Sequence, residues 1–177
     1  QLGSAGDGTN TPLGTTGGST TVNNGTSLDL NGFTLSTNES LTLYGTGITG
    51  GGALSNSSAT AVSYGGTITL AASSSIIANA GDINIVNNTG ITGTGFILTI
   101  GGTGNGSLER NIDLGAGRLT KTGTGTWTVS GNSSYTGITT ISAGMLQLGA
   151  AGDGTNSPLG TIAGRTSITA GAALELN

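Results

Sequence analysis

Short apolar alternations, each closed off by Gly, Asn, Ser or Thr, recur along the whole 177-residue chain. "SLDLN" sets Leu28 and Leu30 on one side of a strand, and "LTLYG" does the same with Leu41 and Leu43. "TITL" offers Ile68 and Leu70, "DINIV" Ile83 and Ile85, and "FILTI" Phe96, Leu98 and Ile100. Towards the end, "TWTVSG" offers Trp127 and Val129, and "MLQLG" offers Leu146 and Leu148. Successive side chains of a strand point to opposite faces, so each segment predicts one apolar face and one face of Thr, Ser and Asn. The segments follow one another at roughly 10 to 15 residues, which leaves room for turns but not for helices.

A longer period lies over these short ones. Residues 1–31, "QLGSAGDGTNTPLGTTGGSTTVNNGTSLDLN", return without a gap as residues 147–177, "QLGAAGDGTNSPLGTIAGRTSITAGAALELN", at an offset of 146. Of the 31 aligned positions 19 are identical, too many for coincidence, and Val22 returns as Ile168 and Asp29 as Glu175. Self-similarity at a fixed period marks solenoids and arrays. A unit of 146 residues is too long for one coil, so it must hold several. Coils of roughly 20 to 25 residues at a strand spacing of about 4.8 Å would carry one unit on the order of 30 Å along an axis. A sandwich fits the strand spacing equally well but does not tile. The pattern therefore predicts an all-β chain, a β-solenoid built as a single elongated prism. Residues 1–177 form one continuous segment, with 1–146 one full repeat and 147–177 the start of the next. The chain opens in mid-pattern and reads as a section of a longer array, with both ends offering open strand edges.

Composition narrows the partners. Thirty-six glycines and thirty-two threonines stand beside twelve charged residues, which disfavours helix surfaces. Leu and Ile recur too steadily for a disordered tract. Eight acids against four bases give a net charge of −4, so there is no basic footprint for nucleic acid or anionic lipid. Cysteine and histidine are absent, which removes disulfides, thiolate metal sites and His-based catalysis. No apolar run approaches the length of a membrane span, so no membrane insertion of this segment is expected.

Residues 117–149, containing "LTKTGTGTWTVSGNSSYTGITTISAGMLQLG", resemble the passenger-associated transport repeat, also called the autotransporter-associated β-strand repeat, of bacterial secreted and outer-membrane proteins. Leu119, Lys121, Gly123, Gly125, Trp127, Gly131, Tyr135, Gly137, Thr140, Gly144 and Leu146 fall at the family's motif positions, with Trp127 where leucine is usual and Ile138 where a second glycine is common. "SLDLNGFTL" and "GGALSNSS" look like companion segments. The resemblance implies a right-handed parallel β-helix in the passenger region of a surface protein, extracellular or associated with the outer membrane. In physical terms Gly123, Gly125, Gly131 and Gly137 would supply tight corners, Trp127 and Val129 an inward face, and Tyr135 an aromatic plug.

Chemistry is sparse. Polysaccharide-cleaving β-helices need paired carboxylates, and the candidates are Asp82 and Asp113, with Glu109, Arg110 and Arg118 forming the densest charged window. A solvated ion-pair cluster is the plainer reading of that window. "GDGTN" at Asp7 and again at Asp153 offers one carboxylate each, a poor calcium cage but a good turn. Asn24, Asn38, Asn56, Asn87, Asn105 and Asn132 each begin an Asn-x-Ser/Thr triplet. Outward threonines suggest an ice-binding array, but their spacing along the chain drifts. The expectation is a non-enzymatic structural segment with no cofactor and no metal. Its partners are the neighbouring repeats of the same protein and, end to end, further copies in a filament. The rival readings are an adhesin that binds glycans or a cell surface through residues such as Tyr44 or Tyr64, and, more remotely, a polysaccharide-degrading enzyme.

Overall fold

The structure is a computed structural model, and it describes residues 1–15 and 17–177. The strands stack in parallel into a β-solenoid of about six turns, and they range over three faces. The first face carries Ser19–Val22, Ser40–Gly45, the start of Ile68–Ala78, Ile91–Thr92 and Ile112–Asp113. The second carries Leu28–Asp29, Leu54–Asn56, the end of Ile68–Ala78, Ile97–Gly102, Arg118–Lys121, Thr139–Ile141 and Thr166–Ile168. The third carries Val62–Tyr64, Ile83–Ile85, Gly106–Leu108, Thr126–Val129, Met145–Leu148 and Ala173–Leu176. Ile68–Ala78 runs over two faces in one strand because "ITLAASSSIIA" holds no Gly or Asn to break it, and small residues line the bend.

Period-two alternation puts aliphatic residues inside, and parallel register stacks them coil on coil. On the third face Val62, Ile83, Gly106, Trp127, Leu146 and Leu174 form one interior column. On the second face the column runs Leu54, Ile76, Ile100, Lys121, Ile141, Ile168. These columns form a continuous core from Leu2 to Leu146. The steps within a column are uneven, 19 residues from Trp127 to Leu146 but 28 from Leu146 to Leu174, wider than the 20 to 25 expected. Turns at the corners absorb the difference, so the register between strands survives it. Among the described residues the helical content is a single 3-10 turn, Ile48–Gly50, and no helix is long and apolar enough to cross a membrane.

The repeated segment builds the same hairpin twice. Asn10–Thr11 pairs antiparallel with Gly14–Thr15, and Asn156–Ser157 pairs with Gly160–Thr161 in the same register. The two copies nevertheless lie on different faces. Ser19–Val22 is on the first face, whereas its counterpart Thr166–Ile168 is on the second; Leu28–Asp29 is on the second, whereas Ala173–Leu176 is on the third. The 146-residue period therefore spans six turns and one further face.

Candidate functional site

The stretch from Leu119 to Leu148 supplies parts of two successive coils, and its Lys121, Trp127 and Tyr135 side chains point inward. Lys121 is in phase with Leu119, so strand alternation sends both into the core, where each is fully buried. The aliphatic stem of Lys121 fills its column between Ile100 and Ile141. Its ammonium donates to the carbonyls of Thr122 at 2.7 Å, Gly123 at 2.9 Å and Ala143 at 3.1 Å, using all three protons. Burial pushes its pKa down to about 8. The lysine thus ties two coils together at a corner.

Trp127 occupies the third-face column directly above Gly106, and a methyl group on Gly106 would stand 2.7 Å from the indole ring. Gly106 is therefore a strand position emptied to admit the tryptophan, whose Nε1 donates to the Gly101 carbonyl at 3.2 Å. Tyr135 is also fully buried; its hydroxyl pairs with Thr139 Oγ1 at 2.6 Å, and burial pushes its pKa up. It sits under the second hairpin, where Gly160 lies against its ring and Thr161 N–H donates to its carbonyl.

The glycines of the motif do two jobs. Gly123 and Gly144 have φ of +66° and +64° and turn corners as expected. Gly125, Gly131 and Gly137 have no such φ; any Cβ there would strike the backbone of the adjacent coil, at Gly104, Arg110 and Gly117 respectively. Their reason is close approach of coils, which replaces the tight-corner role expected for them. Thr140 lies at an outward position between Thr120 and Ser167.

The charged candidates do not converge. Asp82 leads into the third-face strand Ile83–Ile85, and its Oδ1 accepts the Asn105 N–H at 2.9 Å. Asp113 closes the first-face strand Ile112–Asp113 and accepts the Ser134 hydroxyl at 2.8 Å. Glu109, Arg110 and Arg118 are exposed. Each of the two half-buried aspartates thus ties its coil to the next on a separate face. Among the described residues the surface holds no pocket and no cluster of three metal-ligating side chains. Asp7 and Asp153 spend one oxygen each on backbone N–H groups, Asp7 at 2.9 Å and 2.7 Å from Thr9 and Asn10, Asp153 at 2.9 Å and 2.7 Å from Thr155 and Asn156. These hydrogen bonds hold both carboxyl groups below the ordinary aspartate pKa.

Several residues lie elsewhere than the sequence suggested. Tyr64 is not a loop residue open to a ligand: it is 1 % exposed, in phase with Val62 on an inward face, whereas Tyr44 is 36 % exposed. The Tyr64 hydroxyl donates to the backbone carbonyl of Glu39, and burial first, then the charge of Glu39, raises its pKa. Glu39 is itself buried; its Oε1 accepts from Thr20 at 3.3 Å, while its Oε2 has no partner. Glu39 is spaced in phase with Leu41 and Leu43, as Lys121 is with Leu119, and that spacing was the available signal for both. Asn56 and Asn87 are buried with their amides committed to backbone groups, so those two triplets are closed to modification. Outward threonines also line up better than their sequence spacing suggests. Thr21, Thr42, Thr69 and Thr92 are successive partners on the first face, and Asp113 ends the file.

Comparison with known proteins agrees with this wall. Residues 119–148 match the family model of the passenger-associated-transport-repeat, so the chain carries one such repeat within its solenoid. No curated protein and no solved structure matches the chain.

Proposed function

We propose that this chain is a non-enzymatic, load-carrying section of a bacterial extracellular or outer-membrane-associated repeat protein, lengthening a stalk or fibre by stacking solenoid coils. The observation that carries the reading is the 31-residue segment that appears at both ends of one unbroken stack and builds the same hairpin each time. A module that repeats its own opening hairpin, with Lys121, Trp127 and Tyr135 turned inward to bind neighbouring coils, is built to continue itself. The passenger-associated repeat at residues 119–148 supports placement on the cell exterior. Stability in such a stack accrues through nearest-neighbour interfaces, so length is added without new chemistry.

Electron microscopy of the chain, and of a chain lengthened by one further unit, tests this. A structural section gives straight rods that grow by about 30 Å per unit. Separate globules, or rods of unchanged length, would sink it. Binding of glycans or cells that depended on Tyr44 would favour the adhesin instead, and cleavage of a polysaccharide lost on Asp82→Asn or Asp113→Asn would favour an enzyme.

A further inference from the structure

The two ends of the solenoid present complementary surfaces. At the carboxyl end, Ile168 and Leu176 are 48 % and 72 % exposed, although their counterparts Val22 and Leu30 are 4 % and 0 % exposed. The coil that follows covers Val22 and Leu30, with Leu43 paired on Val22 and Leu54 on Leu28. At the amino end the hairpin Asn10–Thr15 is uncovered around Pro12 and Gly14, whereas in the second copy Pro158 and Gly160 are buried, with Gly160 against Tyr135. Each copy shows what the other lacks.

From this we infer that the carboxyl-terminal coil is the docking surface for residues 40–56 of a following copy of this same unit, and that each unit is turned by one face relative to the last. The inference rests on the array reading above. Superposing residues 147–177 of one unit on residues 1–31 of the next fixes the register without further assumption. Leu43 of the following unit falls on Ile168, which already stacks on Ile141, and Leu54 falls on Leu174, which stacks on Leu146. Both aliphatic columns then continue across the junction. Because the repeated strands have moved from the first face to the second and from the second to the third, the second-face ladder of one unit becomes the first-face ladder of its successor. Successive hairpins therefore wind around the rod about a third of a turn and about 30 Å apart, and return to the same side at every third unit. Surface features of the unit, the threonine file included, are distributed around the fibre in the same way.

The test is a two-unit chain, residues 1–177 followed in frame by a second copy of residues 32–177, studied by cryo-electron microscopy and amide exchange. The expected result is one rod whose second half superposes on the first after about a third of a turn, with exchange at Ile168 and Leu176 slowed about 100-fold relative to the single-unit chain. A single rod with protected junction amides but no rotation between units would overturn this inference and leave the array reading standing. Unprotected junction amides and two loosely joined bodies would overturn both. Within the single unit the Ser133 N–H offers an independent check, since it donates to the Ser157 carbonyl at 3.0 Å only when the second hairpin sits on the first-face stack. Exchange at the Ser133 amide should be slow in the folded single-unit chain, and a freely exchanging Ser133 amide would refute the one-face offset.

Discussion

Nearly the same 31 residues occupy both ends of this molecule, and they are buried in opposite places. In the amino-terminal copy the strands are covered and the hairpin is bare; in the carboxyl-terminal copy the hairpin is packed on Tyr135 and the strands are bare. The two hairpins share their register and the Asp side chain that closes each. The difference lies in which neighbour is present. The first copy meets only the coils after it, apart from residues 2–8, which lie along residues 29–36 through bonds such as Leu2 N–H to the Asp29 carbonyl at 2.9 Å and Ser36 N–H to the Ala5 carbonyl at 2.8 Å. The second copy meets only the coils before it. In a solenoid, a residue's contribution to stability is set by position along the axis as much as by identity.

The sharpest way to break this comparison is to make one substitution at both copies. Leu30→Ala should cost about 3 kcal/mol, within the range for a fully buried leucine, while Leu176→Ala should stay within about 0.5 kcal/mol. Denaturant titration of the two variants measures both; equal losses would refute the asymmetry.

Nearly as large an effect is expected at Lys121, whose column runs through Ile141 to the second copy. Lys121→Ala opens a cavity and strips three carbonyls of their donor, at a cost of about 3 kcal/mol. Amide exchange should quicken in Thr139–Ile141 and Thr166–Ile168 and stay unchanged in Ser19–Val22. The pH dependence has a definite sign. With the folded pKa near 8 and the ordinary lysine value of 10.5, the folded state gives up its proton first, so the burial penalty is fully present below pH 8 and fades as pH rises towards 10.5. Thermal stability of the carboxyl-terminal coils should accordingly increase across that window, and Lys121→Met should flatten the increase.

A smaller contrast is expected at the hairpins. Gly14 and Gly160 share a positive φ, +116° and +93°, so alanine strains both, by about 1 kcal/mol. Only at Gly160 would the new methyl also meet the Tyr135 carbonyl and ring, at 2.5 Å and 2.9 Å, where at Gly14 it would meet nothing. Gly160→Ala should therefore be the worse of the two by about 1 to 2 kcal/mol in thermal melts.

The smallest effect should erase the comparison altogether. Asp7 and Asp153 have folded pKa values lowered by the same backbone bonds, so each cap is intact above the ordinary aspartate range and is lost as pH falls through the folded value. Amide chemical shifts of Asn10 and Asn156 should titrate together. Asn132 Nδ2 on the preceding coil also donates to Asp153 Oδ2, at 3.4 Å, so a clear separation would mean that this contact shifts the titration of the second cap.

Much of this was legible in the residues themselves. Alternation placed Leu41, Ile83, Leu98, Val129 and Leu146 inside, the offset of 146 announced the array, and the motif around Trp127 named the wall. These are local signals, and a strand's two faces are fixed by a period of two whatever it packs against. That same period would have sent Glu39 and Lys121 inward, but charge argues for solvent until partners are known, and the carbonyls that accept from Lys121 lie at its own corner and on the next coil. Gly106 could be explained only by its neighbours on other coils, the Trp127 ring and the Ile83 carbonyl. The threonine file, the separation of Asp82 from Asp113 and the one-face offset all depend on how many residues each corner consumes, which ranges widely from coil to coil. Sequence by itself determined the strands, their inward faces and the fact of repetition, because each follows from chemistry within a few residues. Tertiary structure alone decided which residues become neighbours across coils and on which face each copy lands, because those follow from the summed lengths of every turn between them.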